Sequence, residues 1–430
     1  MKIALLSDWE TQGGAAKATT RLAAGLAAAG HEVVRLIGCA GNGATGSGVR
    51  LLKPSHPMRH QFVRKCLPST ARTAWDQRTA CSLLNDELAA LKPDVINVHN
   101  LHAAAWLGWT PELVRVCGEH APVVWTLHDM WSFTGRCAFN TVRLDYLAEP
   151  DKNFGCTKFI SGCNATCPTP HEYPSLVPER IAGAWEERRQ LFESQKDLQG
   201  ISPSRWLADE AKQGLWRERT IHVIPYDVPL DVFSPVKREL ARKALGIHTT
   251  GPVLMLAAQN VDDKRKGGRE LIEALKRVRQ RPLTVLSLGT GALPLADEGI
   301  HYMPSGHIDH ERTIALAFNA SDVLVHPALA DNLPNVVLEA MATGTPTVAF
   351  RVGGLPEMVR PGLTGWLAKE PTAESLVAAL ETALDDLADG RDLRASCRAV
   401  AEAEYGMPQQ AKRYVELFES VARIQGAAVG

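Results

Sequence analysis

Short apolar runs alternate with longer helix-like segments from the first residues of the chain. In the first half, the strand-like runs cover residues 3–6, 33–37, 94–98 and 123–127. Residues 17–30 are rich in Ala and Leu and close on Gly30, which is typical of a helix that ends at a glycine. This alternation predicts a parallel sheet that is covered by helices on both faces.

The same alternation restarts after about residue 200, with strand-like runs at 252–257, 283–288, 322–326 and 347–350. Because single hydrophobic cores stop growing at roughly 250–300 residues, a chain of 430 residues is expected to form two domains. We predict an N-terminal domain over 1–200, a C-terminal domain over 201–405, and a last helix over 406–430 that packs back on the N-terminal domain. Two doubly wound domains facing each other would form a cleft lined by the C-terminal ends of both sheets.

Composition and charge exclude several classes of protein. The chain has 47 Lys and Arg and 48 Asp and Glu, so its net charge of −1 gives no general electrostatic reason to expect a nucleic-acid partner. A hydrophobic content of 45% with 22% charged residues is typical of a soluble globular protein. No apolar run reaches the roughly 18 residues of a membrane helix, and residues 1–7 are predicted to be a buried strand rather than a signal peptide. We therefore expect a cytoplasmic protein.

Two glycine-containing segments that follow predicted strands could bind phosphate. Gly13 and Gly14 lie between the first strand and the first helix, where backbone amides and the helix N-terminus favour an anion. A simple tight turn is the alternative. Arg265 and Lys266 follow the strand at 252–257, and a guanidinium fork with an ammonium charge suits a diphosphate. Such charge runs are, however, usually solvated.

The most informative segment covers residues 326–346, HPALADNLPNVVLEAMATGTP, and holds two acids separated by seven residues. If Pro334 opens a helix, Asp331 lies in the loop before it and Glu339 lies about one and a half turns inside. Two carboxylates so placed could bind hydroxyls at two points of an extended ligand, with the helix N-terminus facing a phosphate. In the alternative interpretation, Asp331 or Asn332 caps the helix and Glu339 is a surface charge.

This segment resembles the acidic EX7E signature of the retaining GT-B glycosyltransferases, specifically the family-4 group. The resemblance covers nearly the whole chain, because further segments agree with that group and occur in the same order. These segments are the Gly13-Gly14 loop with the helix that ends at Gly30, residues 224–235, Arg265-Lys266-Gly267, and residues 353–357. The resemblance implies the GT-B fold, in which two Rossmann-like doubly wound domains face a central cleft. It also implies retaining, metal-independent transfer of a sugar from a nucleotide-diphosphate sugar to a hydroxyl acceptor, with no cofactor for catalysis.

The resemblance also implies a role for individual residues. Asp331 would bind donor-sugar hydroxyls and Glu339 the ribose hydroxyls, while Lys266 and Arg265 would hold the diphosphate. The donor would bind the C-terminal domain and the acceptor the N-terminal domain, from which Gly14 would meet the diphosphate. The remaining implied donor-binding residues are Gly13, Asn332, Leu333, Pro334 and Asn335. The chain departs from the pattern twice, with Asp331 where Glu is usual and with Asn260 in place of an Arg.

A histidine at the end of another predicted strand, His128, resembles the family's histidine on the acceptor side of the cleft, close to the reacting centre. It could donate a hydrogen bond to a sugar hydroxyl or orient the acceptor. The alternative is a strand-end histidine that is satisfied by a backbone carbonyl. Further acceptor-side candidates are His99, Asn100 and His102, which end the neighbouring strand, and Asp129.

Four of the nine cysteines fall in an insertion over residues 137–171, with the spacing C-x18-C-x6-C-x3-C. In a reducing compartment, four thiolates suit a structural tetrahedral zinc site. One or two disulfides, or independent buried thiols, are the alternatives. Any metal would be structural, because these residues are not placed to act in sugar transfer. The four are Cys137, Cys156, Cys163 and Cys167.

Basic residues between positions 59 and 78 are mixed with Phe62, Leu67 and Trp75. They could form an amphipathic face that touches anionic lipid or a lipid diphosphate acceptor. Their irregular spacing, with Pro57 and Pro68, favours a solvated segment or part of the acceptor cleft. The basic residues are Arg59, His60, Arg64, Lys65, Arg72 and Arg78.

Taken together, these features predict a retaining glycosyltransferase of bacterial polysaccharide or glycoconjugate biosynthesis. Its donor would be a UDP- or GDP-sugar and its acceptor a saccharide or a lipid-linked molecule, at the inner face of the membrane or free in the cytoplasm. A nucleotide-sugar 2-epimerase of the same architecture and a non-catalytic sugar-nucleotide-binding protein are the alternatives. No motif encodes the sugar, the base, the linkage or the oligomeric state.

Overall fold

The structure of the protein is a computed structural model that describes residues 1–41, 46–142, 154–261, 263–295 and 297–429. The described residues form two compact units. The first consists of Met1–Val142, Gly155–Pro225 and the chain from Gln410 onwards, and the second contains Tyr226–Gln409. Each unit is built around its own parallel sheet, which confirms the predicted class of two Rossmann-like, doubly wound α/β domains.

The sheet of the first unit has seven parallel strands in the order β3-β2-β1-β4-β5-β8-β9. They are β1 (Lys2–Trp9), β2 (Glu32–Cys39), β3 (Val49–Leu51), β4 (Val95–Val98), β5 (Val123–Thr126), β8 (Gln199–Ser202) and β9 (Ile221–Val223). Two short strands lie between β5 and β8 along the chain, β6 (Thr141–Val142) and β7 (Phe154–Gly155). The helices are α1 (Gly14–Ala28), α2 (Pro57–Cys66), α3 (Ser69–Leu91), α4 (Glu112–Gly118), α5 (Lys158–Ser161), α6 (Pro178–Ser194) and α7 (Arg205–Gln213).

Helices cover both faces of this sheet because successive side chains of a strand point to opposite faces. Ala4 and Leu6 of β1 join a core with residues of α3, and Ile3 and Leu5 join a second core with residues of α1. The last helix, α15 (Met407–Val429), adds a stripe to that second core at helical spacing, consisting of Tyr414, Leu417, Phe418 and Val421. The chain therefore returns to the first unit at its end.

The first sheet continues past residue 200, where the strand pattern predicts the domain boundary. β8 pairs with β5, and β9 pairs with β8, so the unit extends to Pro225. β8 has four residues and β9 three. Runs this short do not indicate which sheet they join, and the predicted boundary is therefore wrong.

The second unit has a six-stranded parallel sheet in the order β12-β11-β10-β13-β14-β15. Its strands are β10 (Val253–Asn260), β11 (Leu283–Thr290), β12 (Ile300–Pro304), β13 (Val323–His326), β14 (Thr347–Phe350) and β15 (Gly365–Ala368). Its helices are α8 (Arg238–Ala244), α9 (Gly268–Arg277), α10 (Glu311–Ala320), α11 (Asn335–Ala342), α12 (Leu355–Met358), α13 (Ala373–Ala388) and α14 (Arg394–Glu404). The strand pattern predicts β10, β11, β13 and β14 but misses β12 and β15.

Both sheets contain a point at which the strand order reverses. The reversal lies between β1 and β4 in the first unit and between β10 and β13 in the second. In open parallel sheets, ligands bind outside the C-terminal ends of the strands at such a reversal. Among the helices described, none is both long enough and apolar enough to span a bilayer.

Candidate functional site

Two loops follow the strands at the reversal of the second unit, and both carry predicted donor-binding residues. After β10, Lys264–Lys266 form a 3₁₀ turn in which the side chain of Asp263 accepts a hydrogen bond of 2.9 Å from the amide of Arg265. After β13, residues 327–334 lead into α11, with Pro334 as its N-cap residue. The helix therefore starts where the sequence predicts. Because Pro334 is the N-cap residue, neither Asp331 nor Asn332 occupies the capping position.

Close backbone packing joins these two loops. The guanidinium of Arg265 donates to the carbonyl of Ala330 at 2.8 Å, and the amide of Leu329 donates to the carbonyl of Arg265 at 2.8 Å. Gly267 has a φ of 71°, and a Cβ atom added there would lie 1.8 Å from the carbonyl oxygen of Pro327. Only glycine fits this position without movement of the backbone.

The carboxylate of Asp331 is the centre of the second unit's polar cluster. Its Oδ2 lies 2.6 Å from Nζ of Lys266 and 3.2 Å from Nε2 of His326, and its Oδ1 accepts the amide of Asn332 at 3.1 Å. Burial on its own would raise the pKa of Asp331, but the charge of Lys266 and the bond from His326 hold that pKa well below its usual range. Burial also lowers the pKa of His326. Asp331 is thus an ionised acceptor held by a cation and a neutral imidazole.

The late glycine loop supports the backbone of the same acid. Gly353 has a φ of 55°, and a Cβ atom there would lie 1.9 Å from the carbonyl oxygen of Asp331. The amide of Gly354 donates to that carbonyl at 3.2 Å. Gly353 and Gly354 therefore support the site through the main chain of Asp331.

The second acid of the signature, Glu339, lies inside α11 and is 1% exposed. The interpretation of Glu339 as a surface charge is therefore wrong. The predicted donor-binding residues Asn332 and Leu333 are also buried, and Asn335 is the first residue of α11. The structure brings Arg265, Lys266 and Asp331 into direct contact, with Glu339 on the helix that follows.

In the first unit, the glycine loop after β1 begins helix α1. Gly13 is the N-cap residue, with a φ of 90°, and its carbonyl accepts the amide of Lys17 at 3.1 Å. A positive φ is readily adopted only by glycine. Gly14 is the first helical residue, so the loop has the backbone form that the sequence predicts.

Two of the predicted acceptor-side histidines form a buried pair at the ends of β4 and β5. Nδ1 of His99 lies 2.9 Å from Nε2 of His128. Burial lowers the pKa of His128 to about 4 and the pKa of His99 well below its ordinary value. Both rings are therefore neutral at pH 7, and a single proton lies between the two nitrogens.

The other acceptor-side candidates form a second, charged group beside this pair. Nε2 of His102 lies 2.9 Å from Oδ2 of Asp129, and its Nδ1 lies 3.1 Å from the hydroxyl of Tyr173. Burial opposes protonation of His102, but the charge of Asp129 and their hydrogen bond raise the pKa of His102 overall. Asn100 contributes its backbone carbonyl, which accepts the amide of Asp8 at 2.8 Å.

The sequence motifs give no role to three residues of these clusters. Asp8 is 3% exposed, and its carboxylate accepts the amides of Trp9 at 2.8 Å and Ala103 at 3.1 Å. Its place at the end of β1 could have indicated it. His326 stands at the end of β13 in the same way. Tyr173 lies two residues after the cysteine-containing insertion, and nothing in the sequence indicates where this part of the chain folds.

The four cysteines of the insertion are free thiols, so the disulfide alternative is not observed. The thiols of Cys137 and Cys167 are in hydrogen-bonding contact, and the amide of Gly135 donates to the sulfur of Cys163. A Cβ atom added to Gly135 would lie 2.6 Å from Cβ of Cys163. Among the residues that the structure covers, no group of three or more His, Cys, Asp or Glu side chains is arranged to hold a metal ion.

Comparison with protein families matches both halves of the chain. Residues 12–231, more than half of it, match the model described as Glycosyltransferase Family 4. Residues 251–386 match the model described as Glycosyl transferases group 1. Family membership favours a transferase over the epimerase and over the non-catalytic binding protein.

Similar proteins and structures agree with this assignment. WcaC of Escherichia coli (strain K12), named as a colanic acid biosynthesis glycosyl transferase, is 26% identical over 342 residues, which cover 76% of this chain and 77% of WcaC. D-inositol 3-phosphate glycosyltransferase of Arthrobacter sp. (strain FB24) is 32% identical over 190 residues, or 40% of this chain and 44% of the relative. The chain thus spans less than half the length of that second relative.

Two solved structures extend the likeness to almost the whole fold. Sucrose-phosphate synthase from Thermosynechococcus elongatus has a TM-score of 0.70 at 20% identity and covers 98% of this chain and 99% of its own. Anabaena HepE in complex with UDP-glucose has a TM-score of 0.64 at 16% identity and covers 98% of this chain and 100% of its own. At such identities the likeness shows the fold, which is GT-B. The chain belongs to glycosyltransferase family 4.

Proposed function

We propose that this glycosyltransferase is retaining and metal-independent, and that it transfers a hexose from a nucleotide-diphosphate sugar to a hydroxyl of a saccharide or lipid-linked acceptor. The observation that carries this proposal is the cluster of Lys266, Asp331 and His326 at the strand reversal of the second unit. It combines a cation for a leaving diphosphate with an ionised carboxylate for sugar hydroxyls.

Each donor-binding residue has a proposed part. Lys266 and Arg265 would offset the charge that develops on the diphosphate, the part that a divalent metal takes in other transferases. Asp331 would accept hydrogen bonds from sugar hydroxyls, and Glu339 from the ribose. Gly13 and Gly14 would offer the amides at the start of α1 to phosphate oxygens. Asn332, Leu333, Pro334 and Asn335 would line the remaining donor site.

We propose a UDP-sugar or GDP-sugar as donor. The structural neighbour HepE, which has been solved with UDP-glucose, supports the first of these. The relative WcaC, named for colanic acid biosynthesis, supports a role in bacterial polysaccharide or glycoconjugate assembly. Such a role would place the protein in the cytoplasm or at the inner face of the membrane, with peripheral membrane contact.

On the acceptor side, we propose that neutral His128 contacts the reacting sugar or the acceptor hydroxyl. A neutral imidazole can donate one hydrogen bond and accept another, and it adds no charge beside the leaving diphosphate. His99, His102, Asn100 and Asp129 would position it and bind the acceptor. In a retaining reaction without an enzyme nucleophile, the acceptor attacks the face that the diphosphate leaves, and the diphosphate takes the acceptor's proton.

A thermal-shift panel of UDP, GDP, ADP and dTDP with their common sugars tests the donor site. A ligand at about 100 times its dissociation constant stabilises by roughly 2.7 kcal/mol, which is a measurable shift. We expect one base to stand out, and donor turnover with that base then allows the product anomer to be read by NMR. No shift with any nucleotide would contradict the donor site. An inverted anomer would contradict the retaining mechanism. Activity that is lost with EDTA and restored by Mg²⁺ or Mn²⁺ but not by Zn²⁺ would contradict metal independence.

We also propose that Cys137, Cys156, Cys163 and Cys167 hold one structural zinc ion. The contact between the thiols of Cys137 and Cys167 supports this proposal, because it brings two candidate thiolate ligands together. Elemental analysis should give about one zinc per chain, and Cys163→Ser should remove it. Cys66→Ser, on exposed α2, is the matched control that should retain the metal. A zinc content near zero in the reduced wild-type protein would contradict the proposal.

A further inference from the structure

One stretch of the first unit carries basic residues but no acidic ones. It lies apart from the clusters around Asp331 and around His128. Residues 33–75 contain no Asp or Glu, although the whole chain has 48 acidic and 47 basic residues. It is the longest stretch of the chain without an acidic residue. The same stretch contains seven basic residues, which are Arg35, Arg50, Lys53, Arg59, Arg64, Lys65 and Arg72.

Helix α2 lies in this stretch and buries none of its side chains. Helical spacing places Met58, Phe62 and Lys65 on one face, because residues at i, i+4 and i+7 are neighbours along a helix. Met58 is 87% exposed and Phe62 is 70% exposed. Two large apolar side chains therefore stand next to each other in solvent.

Contacts on the opposite face of α2 fix its orientation. Arg64 donates from Nε to both carboxylate oxygens of Asp76 in α3 at 2.8 Å. His60, one turn earlier, accepts a hydrogen bond of 3.0 Å from Nε1 of Trp75, also in α3. Because His60 and Arg64 hold this side against α3, Met58 and Phe62 cannot turn inward without breaking both contacts.

Cations flank the apolar pair on both sides of the outward face. Arg59 and Lys65 are both exposed, and in the part of the chain that the structure covers neither is paired with a carboxylate. A third large apolar side chain, Trp106, is 66% exposed two residues before Gly108. Gly108 packs directly on the backbone of Asp76, the partner of Arg64.

We propose that the outward face of α2, formed by Met58, Phe62, Arg59 and Lys65, docks the protein on the surface of an anionic lipid bilayer. Apolar side chains flanked by Lys and Arg are the arrangement of helices that lie in a membrane interface. A second copy of the chain would present the same positive charge and be repelled. A nucleic acid would use the cations but would gain little from Met58 and Phe62. This inference rests on the peripheral membrane contact of the proposed function and names the helix face that makes it, while vesicle binding can fail with sugar transfer retained.

Co-sedimentation with vesicles tests the docking surface. The full-length protein should bind vesicles of phosphatidylglycerol mixed with phosphatidylcholine, bind pure phosphatidylcholine weakly, and dissociate as salt is raised. Each basic residue near an anionic surface contributes about 1 kcal/mol, or about fivefold in partitioning. Arg59→Gln with Lys65→Gln should therefore reduce binding roughly 25-fold. Met58→Ser with Phe62→Ser should reduce it at least tenfold, since both side chains lose their burial in the interface.

Control variants remove exposed cations and an exposed apolar side chain from helices other than α2. Lys412→Gln with Arg423→Gln takes two exposed cations from α15, where their side chains are 77% and 76% exposed. Leu240→Ser takes a 58% exposed apolar side chain from α8. We expect these controls to bind vesicles like the wild type. All variants should melt like the wild type, since none of the changed side chains is buried.

Several results would overturn the proposal. One is equal binding to neutral and anionic vesicles, and another is wild-type binding by both α2 double variants. Binding to single-stranded RNA without binding to vesicles would assign the cations to nucleic acid. A dimer in sedimentation velocity that Phe62→Ser dissociates would assign the apolar pair to self-association.

Discussion

At the strand reversal of the second unit, Lys266 and Asp331 form an ion pair of 2.6 Å, whereas at the reversal of the first unit His99 and His128 share a neutral hydrogen bond of 2.9 Å. Asp331, His99 and His128 are buried, Lys266 is half-buried, and both groups follow parallel strands. They differ in what surrounds them. Opposite charge holds the pKa of Asp331 well below its usual range, whereas burial, which the charge of Asp129 opposes only in part, lowers the pKa of His128 to about 4. The same topological position thus yields an ionised site in one unit and a neutral site in the other.

The largest effect is expected when the ionised site of the second unit loses the negative charge of Asp331. Asp331→Asn keeps the shape but leaves the half-buried Lys266 without its main counter-charge. We expect kcat/KM for transfer to fall by about 100-fold or more, since an interaction with the reacting sugar is lost. Asp309→Asn, at an exposed carboxylate paired with His307, should keep wild-type activity. Full transfer by Asp331→Asn, in protein that melts normally, would remove Asp331 from the donor site.

The backbone packing between the loops after β10 and β13 can be disrupted without changing a charged residue. Gly267→Ala places a Cβ atom 1.8 Å from a carbonyl oxygen at a φ of 71°. We expect a loss of about 3 kcal/mol in the free energy of unfolding and weaker nucleotide binding. Gly246→Ala is the matched control, because its φ is 66° and nothing lies within 4 Å. It should cost about 1 kcal/mol, the backbone strain alone. Equal thermal shifts for the two variants would show that the loops adjust freely.

Acid titration tests the neutral state of the histidine pair. His128 has a pKa of about 4 in the folded protein, against 6.5 as its ordinary value. Between these values the unfolded chain binds the proton and the folded chain does not, so stability falls as the pH falls from 6.5 to 4. The difference in pKa corresponds to about 3 kcal/mol. His128→Gln should flatten this part of the curve of melting temperature against pH, and the exposed His301→Gln should leave it unchanged. An unchanged slope in His128→Gln would mean that the ring is protonated in the fold.

The neighbouring His102 should show the opposite sign, with a smaller effect. Its pKa is raised in the folded protein, so its pairing with Asp129 stabilises fully below the unfolded value and is lost as the pH rises through the folded value. His102→Gln should therefore destabilise more at pH 6 than at pH 9. Melting curves at these two pH values measure the difference, again with His301→Gln as control. A constant difference would mean that His102 does not titrate differently in the two states.

Much of the second unit's site can be predicted from short segments of the sequence. The spacing between Asp331 and Glu339, the proline at the start of α11, and the pair Arg265-Lys266 after a strand are all of this kind. Local rules for helix starts and strand ends therefore suffice to predict them. Asp8 and Tyr173 could not be found in this way. Their partners, Ala103 and His102, are 95 and 71 residues away in the chain, and only the packed sheet brings them together.

In residues 57–78, the sequence shows the charge but not which side chains are exposed. Pro57 and Pro68 suggest irregular chain, but Pro57 is the first residue of α2, where proline is tolerated, and Pro68 lies just before α3. The charge of this segment is evident from composition. Which side chains face outward depends on the contacts of His60 and Arg64 with α3.

By itself, the sequence determined the α/β class, the two repeated sheets, the family, and the residue types at the strand ends. These follow from hydrophobic period and from motifs that act within a few residues. Only the tertiary structure decided that β8 and β9 belong to the first sheet, that α15 returns to it, and that Asp331 is ionised while His99 and His128 are neutral. Strand partners and charge states depend on burial and on counter-charges brought together across long stretches of the chain, which no local pattern records.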